Sequence, residues 1–175
     1  RFGRDRGFPQ IEVTDIQQDS RGNLWFASRE ESGVFRYDGY DLKSYDVPTA
    51  KALLVDSRDR VYISDSKSFF RLDGEIFVPL FREEFLNSRS LAVREMSPGR
   101  FLLTSLKGAW IYEEALDSLE AVTAVLGMRI CSCARKGDDI YMGIENGDLL
   151  RMDIGNLSVE KCLTLTENIQ FILPD

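Results

Sequence analysis

The feature that most constrains this chain is a recurrence. A polar tetrapeptide followed at once by a short apolar run occurs four times: Ser20-Arg21-Gly22-Asn23 before Leu24-Trp25-Phe26-Ala27, Ser57-Arg58-Asp59-Arg60 before Val61-Tyr62-Ile63-Ser64, Ser97-Pro98-Gly99-Arg100 before Phe101-Leu102-Leu103-Thr104, and Lys136-Gly137-Asp138-Asp139 before Ile140-Tyr141-Met142-Gly143. The apolar runs begin at residues 24, 61, 101 and 140, spacings of 37, 40 and 39. A fixed period of this size marks a repeat architecture, in which each unit buries its apolar faces against its neighbours.

Each unit holds four strand signals. One opens the unit (13–19, 50–56, 90–96 and 129–135), and the apolar run after the polar tetrapeptide is the second. A third begins eight to ten residues after the second, at 34–37, 69–72, 109–112 and 149–152. In the first two units Asp38-Gly39 and Asp73-Gly74 come next, a hairpin signal because such turns need positive φ, and a fourth strand follows at 41–45 or 76–80. Glu113-Glu114 and Asp153-Ile154-Gly155 hold that place in the other two. Four antiparallel strands in about 40 residues make the blade of a β-propeller.

The expected fold is therefore all-β: a β-propeller fragment of about four four-stranded antiparallel blades. It forms one propeller segment over 1–175, with repeats at approximately 10–46, 47–86, 87–125 and 126–166 and partial blades at 1–9 and 167–175. An evenly spaced β-sandwich is the alternative. Helix is expected only at 82–86 and 114–119. Trp25, Phe35, Phe69, Phe70, Phe101 and Trp110 read as blade-to-blade packing.

Composition removes several functions. The chain has no histidine, so Ser-His-Asp, Cys-His and His-ligated zinc chemistry are excluded within these residues. No catalytic residues, no metal and no cofactor are expected. Net charge is -7 with the signs interspersed, which offers nucleic acid no basic face. Cys131 and Cys133, two apart, are expected on one strand face as small buried hydrophobes, and Cys162 too far from either to bridge. No apolar run reaches the length of a bilayer span, so membrane attachment is expected only through segments outside these residues.

The first repeat resembles a known one. Gly7-Phe8-Pro9, then Asp19-Ser20-Arg21-Gly22-Asn23-Leu24-Trp25-Phe26, then Gly33-Val34-Phe35-Arg36-Tyr37-Asp38-Gly39 is similar to the two-component regulator propeller repeat. The second repeat keeps Asp56-Ser57, Arg71 and Asp73-Gly74, while the third and fourth keep only spacing and strand pattern. The resemblance implies the ligand-sensing or binding input domain of a membrane-anchored two-component signalling protein. Such a domain lies on the periplasmic side, is not itself catalytic, and has a small ligand such as an oligosaccharide as its partner. A scaffold for protein–protein interaction or dimerisation ranks second, and a propeller lyase or glycosidase last.

The repeat motif itself is structural: Gly22 belongs to the turn between the first two strands, Trp25 fills an inter-blade space, Tyr37 ends the third strand, and Asp38, Gly39, Asp73 and Gly74 close outer hairpins. A binding site is expected instead in the loops at one end of the propeller, those leading into first strands and those linking second to third strands. On that reading Arg29, Glu30, Arg89, Arg129 and Glu145 are the candidate ligand-binding residues. Terminal blades would expose apolar faces, so self-association is expected, with two copies covering each other's open faces about a two-fold axis.

Overall fold

The computed structural model describes residues 12–28, 33–47, 49–88, 91–167 and 169. Four sheets of four strands are present, each in simple sequential order, with all neighbours antiparallel. The chain divides into two compact units, Arg1–Asn87 and Ser88–Asp175.

The first unit holds blade 1, β1 (Val13–Gln18), β2 (Leu24–Ser28), β3 (Val34–Tyr37) and β4 (Leu42–Tyr45), and blade 2, β5 (Ala52–Val55), β6 (Val61–Ser64), β7 (Ser68–Asp73) and β8 (Ile76–Arg82). The β1–β2 turn is built around one carboxylate. Asp19 accepts hydrogen bonds from the backbone N–H of Arg21 (3.1 Å) and Asn23 (2.9 Å), from Asn23 Nδ2 (2.9 Å) and from Trp25 Nε1 (3.0 Å). Gly22 closes the loop at a φ of 87°, a region costly for any residue with a Cβ. Blade 2 repeats the device: Asp56 takes N–H donors from Arg58 (2.9 Å) and Arg60 (2.8 Å) and the Arg60 Nε (2.8 Å), with Asp59 at a φ of 60° in the place of Gly22.

Clamped in this way, Trp25 lies between the blades. It joins Ala27, Val34, Tyr45 and Val47 of blade 1 to Leu53, Val61 and Ile63 of blade 2 in one buried cluster. The Tyr45 ring lies 5.4 Å from it, and the Arg36 guanidinium lies over the indole at 5.9 Å. Blade-to-blade packing is thus the role of Trp25 and Tyr45 in the first unit.

The second unit holds blade 3, β9 (Ala92–Ser97), β10 (Arg100–Ser105), β11 (Gly108–Glu113) and β12 (Ser118–Ala121), and blade 4, β13 (Ile130–Lys136), β14 (Asp139–Ile144), β15 (Asp148–Asp153) and β16 (Val159–Thr164). Here the first turn of each blade is a two-residue hairpin: Ser97 pairs with Arg100 and Lys136 with Asp139, leaving Gly99 (φ 84°) and Gly137 (φ 61°) in the turns. Met96, Leu102, Ala109 and Ile111 of blade 3 pack on Ile140, Met142, Leu150 and Met152 of blade 4.

Three expectations change. Residues 114–119 are not helical: a turn at 114–117, with Asp117 at positive φ, leads into β12 at Ser118. Residues 82–86 contain only a single 3-10 turn, Glu84–Leu86, because Arg82 still belongs to β8; a second such turn lies at Thr123–Val125. Asp73 pairs with Ile76, so the β7–β8 turn is Gly74 and Glu75, one residue later than the Asp-Gly signal. Asp38 does sit in its turn, its carboxylate accepting from the N–H groups of Tyr40 (3.0 Å) and Asp41 (2.8 Å).

The cysteines also need one correction. All three are free thiols. Cys133 is buried in the second unit's core, but the register shifts between Ile130 and Ser132. That bulge breaks the alternation of faces and leaves Cys131 only half-buried. The partial blade at 1–9 and residues 168 and 170–175 lie outside the described residues.

Candidate functional site

In blade 4 a loop of each proposed class can be followed. The connection into β13 carries Gly127, Met128 and Arg129, and the β14–β15 connection carries Glu145, Asn146 and Gly147. They meet at one end of the sheet, because β13 and β14 are antiparallel neighbours and the start of one lies beside the finish of the other. The Glu145 N–H donates to the Arg129 carbonyl at 2.9 Å, and Arg129 Nε reaches Glu145 Oε2 at 2.5 Å. The hydrogen bond to Glu145, and then the charge of that carboxylate, raises the Arg129 pKa above its ordinary value.

Around this pair lies an open cavity of about 300 Å³. Its apolar part is Ile144 and Leu150, both buried, and the more exposed Met128. Its polar part is Arg129, Glu145, Asn146 and Asp148. Asn146 folds onto Asp148 in both directions, its Oδ1 accepting the Asp148 N–H at 3.0 Å and its Nδ2 donating to Oδ2 at 3.1 Å. The other Asp148 oxygen accepts from Thr164 Oγ1 (2.5 Å) and Lys161 Nζ (3.2 Å). Those donors, Thr164 first, hold its carboxyl below the ordinary range.

Arg129 and Glu145 are therefore brought together in one cavity. Arg29, Glu30 and Arg89 lie outside the described residues. Sequence reasoning overlooked Met128, Asn146 and Asp148; the signal available was Asn146-Gly147, an Asn-Gly turn that folds its neighbours back on the strand ends.

Chemically the cavity offers a guanidinium, carboxylates and an amide beside an apolar patch, a set suited to binding a small polar molecule. Its nearest thiol is not an activated nucleophile: burial raises the pKa of Cys131, which stays protonated at neutral pH. Among the described residues no three His, Cys, Asp or Glu side chains are grouped to hold a metal ion. No helix in them is long and apolar enough to cross a membrane.

Sequentially ordered four-stranded blades, repeated about every 40 residues, make this a β-propeller protein. Residues 7–30, a stretch that includes the Asp19 clamp, match the model of the two component regulator propeller family. No curated protein sequence matches the chain.

Solved structures share the fold at low identity. The extracellular domain of the one component system BT4673 from B. thetaiotaomicron aligns with 90% of this chain at a TM-score of 0.64 and 18% identity. The extracellular domain of the hybrid two component system BT3049 from the same organism aligns with 93% at 0.69 and 15% identity. A catalytically inactive virginiamycin B lyase from Staphylococcus aureus, solved with quinupristin, aligns with 88% at 0.71 and 12% identity. The chain spans 22% and 26% of the two extracellular domains and 56% of the lyase.

Proposed function

We propose that this chain is part of the ligand-sensing input domain of a membrane-anchored two-component signalling protein, placed on the periplasmic side and not itself catalytic. The observation that carries the reading is the family repeat at residues 7–30. Likeness of fold to extracellular domains of one- and two-component systems supports it. The cavity beside Arg129 and Glu145 is the site we assign to a small polar ligand, an oligosaccharide being the first class to test.

An enzymatic reading has one observation in its favour, the fold shared with virginiamycin B lyase. The lyase in that structure was inactivated by replacing a histidine with alanine, and this chain contains no histidine. Sensing is therefore the better account of these residues.

The test is a thermal-shift screen of soluble oligosaccharides against the complete extracellular region of the parent protein. A ligand at a hundred times its Kd stabilises the native state by about 2.7 kcal/mol, enough to raise the melting point measurably. Arg129→Ala and Glu145→Ala should each abolish that rise. A rise that survives both substitutions would move the site elsewhere, and a melting point that no compound raises, even at millimolar concentration, would favour a scaffold over a sensor.

A further inference from the structure

Most arginines of the second unit have a carboxylate partner. Arg100 pairs with Glu113 (3.6 Å), Arg129 with Glu145 (2.5 Å), and Arg151 with both Asp139 (3.6 Å) and Glu160 (2.7 Å). Among the described residues Arg94 of β9 and Arg135 of β13 are the exceptions, since each bonds only to backbone carbonyls.

Both guanidinium groups settle on one strand. Arg94 Nη1 donates to the Val93 carbonyl at 2.8 Å. Arg135 Nη1 crosses from blade 4 to donate to the Glu95 carbonyl at 2.7 Å, while its Nε donates to the Gly137 carbonyl at 3.0 Å. Alternate carbonyls of a strand point to the same edge, so those of Val93 and Glu95 stand about 7 Å apart on one side of β9. β9 and β13 are edge strands of their sheets and pack on each other. Two positive groups are thus held side by side where the first strands of blades 3 and 4 meet.

Both side chains are half-buried, and like charges held this close repel each other. The Arg94 charge also reaches into the interface, where it pulls the buried Cys133 thiol down against the larger, opposite effect of burial. Partial burial of a charge without a counter-charge costs free energy that a carbonyl acceptor offsets only in part. Glu95 follows Arg94 directly on the strand and so leaves β9 on the opposite face. Each guanidinium keeps further N–H donors unspent, in a planar fork whose geometry matches an oxyanion.

We propose that Arg94 and Arg135 form a binding site for a tetrahedral oxyanion carrying two charges, phosphate or sulfate, free or as the monoester of a small molecule. Two charges match two guanidinium groups, and a tetrahedral oxyanion has oxygens enough to accept from both forks at once. The site is separate from the Arg129 cavity. Arg129 precedes β13 and Arg135 stands near its far end, about 20 Å away along an extended strand.

The test is calorimetric titration of the chain with sodium phosphate, sodium sulfate and glucose 6-phosphate, each against sodium chloride at matched ionic strength. Saturable binding of one oxyanion per chain is expected, weakened at least about tenfold by Arg94→Gln and by Arg135→Gln. Arg129→Gln should leave it in place. Tighter binding of the free ions would identify them as the occupant, and tighter binding of the ester would identify a small molecule that bears the group; both results support the site. Because a variant can fail to fold, backbone amide shifts of the natural chain are followed by NMR in the same titrations, and saturating shifts should centre on Val93, Arg94, Glu95 and Arg135. No response beyond that of chloride, binding that both glutamine variants at 94 and 135 retain, or shifts centred on Arg129 and Glu145 would each overturn the proposal.

Discussion

Asp19 shows how one side chain can organise a repeat. It gathers two backbone N–H groups, the Asn23 amide and the Trp25 indole, and so joins the β1–β2 turn to the residue that fills the space between blades. Asp19→Ala removes the acceptor while the indole stays buried, which should cost about 1–3 kcal/mol in denaturant unfolding. Burial pushes the Asp19 pKa up, but the hydrogen bonds from Trp25, Asn23 and Arg21 outweigh it, and the net shift is downward from 3.8. A depressed folded-state pKa means the ionised form is favoured in the native protein. Its contribution is complete above 3.8 and is lost as pH falls through the lower folded value. The natural chain should therefore lose stability on acidification below that ordinary value more steeply than Asp19→Ala, as read from urea midpoints across a pH series. The thiols give a second check. Burial pushes Cys133 up to about 11, whereas Cys162 is exposed. Native labelling at neutral pH should modify Cys162 first and Cys133 last, and titration of the denatured, unreduced protein should find three thiols.

At the scale of the strand and turn, what could be read in the sequence follows from how demanding each turn is. The five-residue β1–β2 loop needs an acceptor at 19, a residue tolerant of positive φ at 22 and donors at 23 and 25, and so leaves a recognisable pattern. The two-residue hairpins of blades 3 and 4 ask only for a residue at positive φ, so spacing survives there while residue identity does not. This is why the strands were legible in all four repeats and the family pattern in the first. The bulge at Cys131 was not legible, since it arises from the register between two strands rather than from any residue's own preference. The meeting of Arg129 and Glu145 followed from loop class alone, but Asn146 and Asp148 entered the cavity through side-chain hydrogen bonds that strand patterning does not encode. Gly147 combines a φ of 90° with the chain crossing directly over it. Gly147→Val should destabilise the second unit by at least about 2 kcal/mol, more than the same change at Gly39, which has open space around it. Thermal denaturation of the two variants side by side is the comparison.

For the molecule as a whole, each blade is an uninterrupted stretch of chain: no described sheet borrows a strand from elsewhere in the sequence. Within each unit the two blades meet through side chains, and the passage from one to the next in the first unit is made at Gly33 and Ala50. A stretch of DNA encoding one period could therefore be copied or deleted in frame and the product would still consist of whole blades. Under such a rule, the number of blades becomes something lineages can vary by recombination.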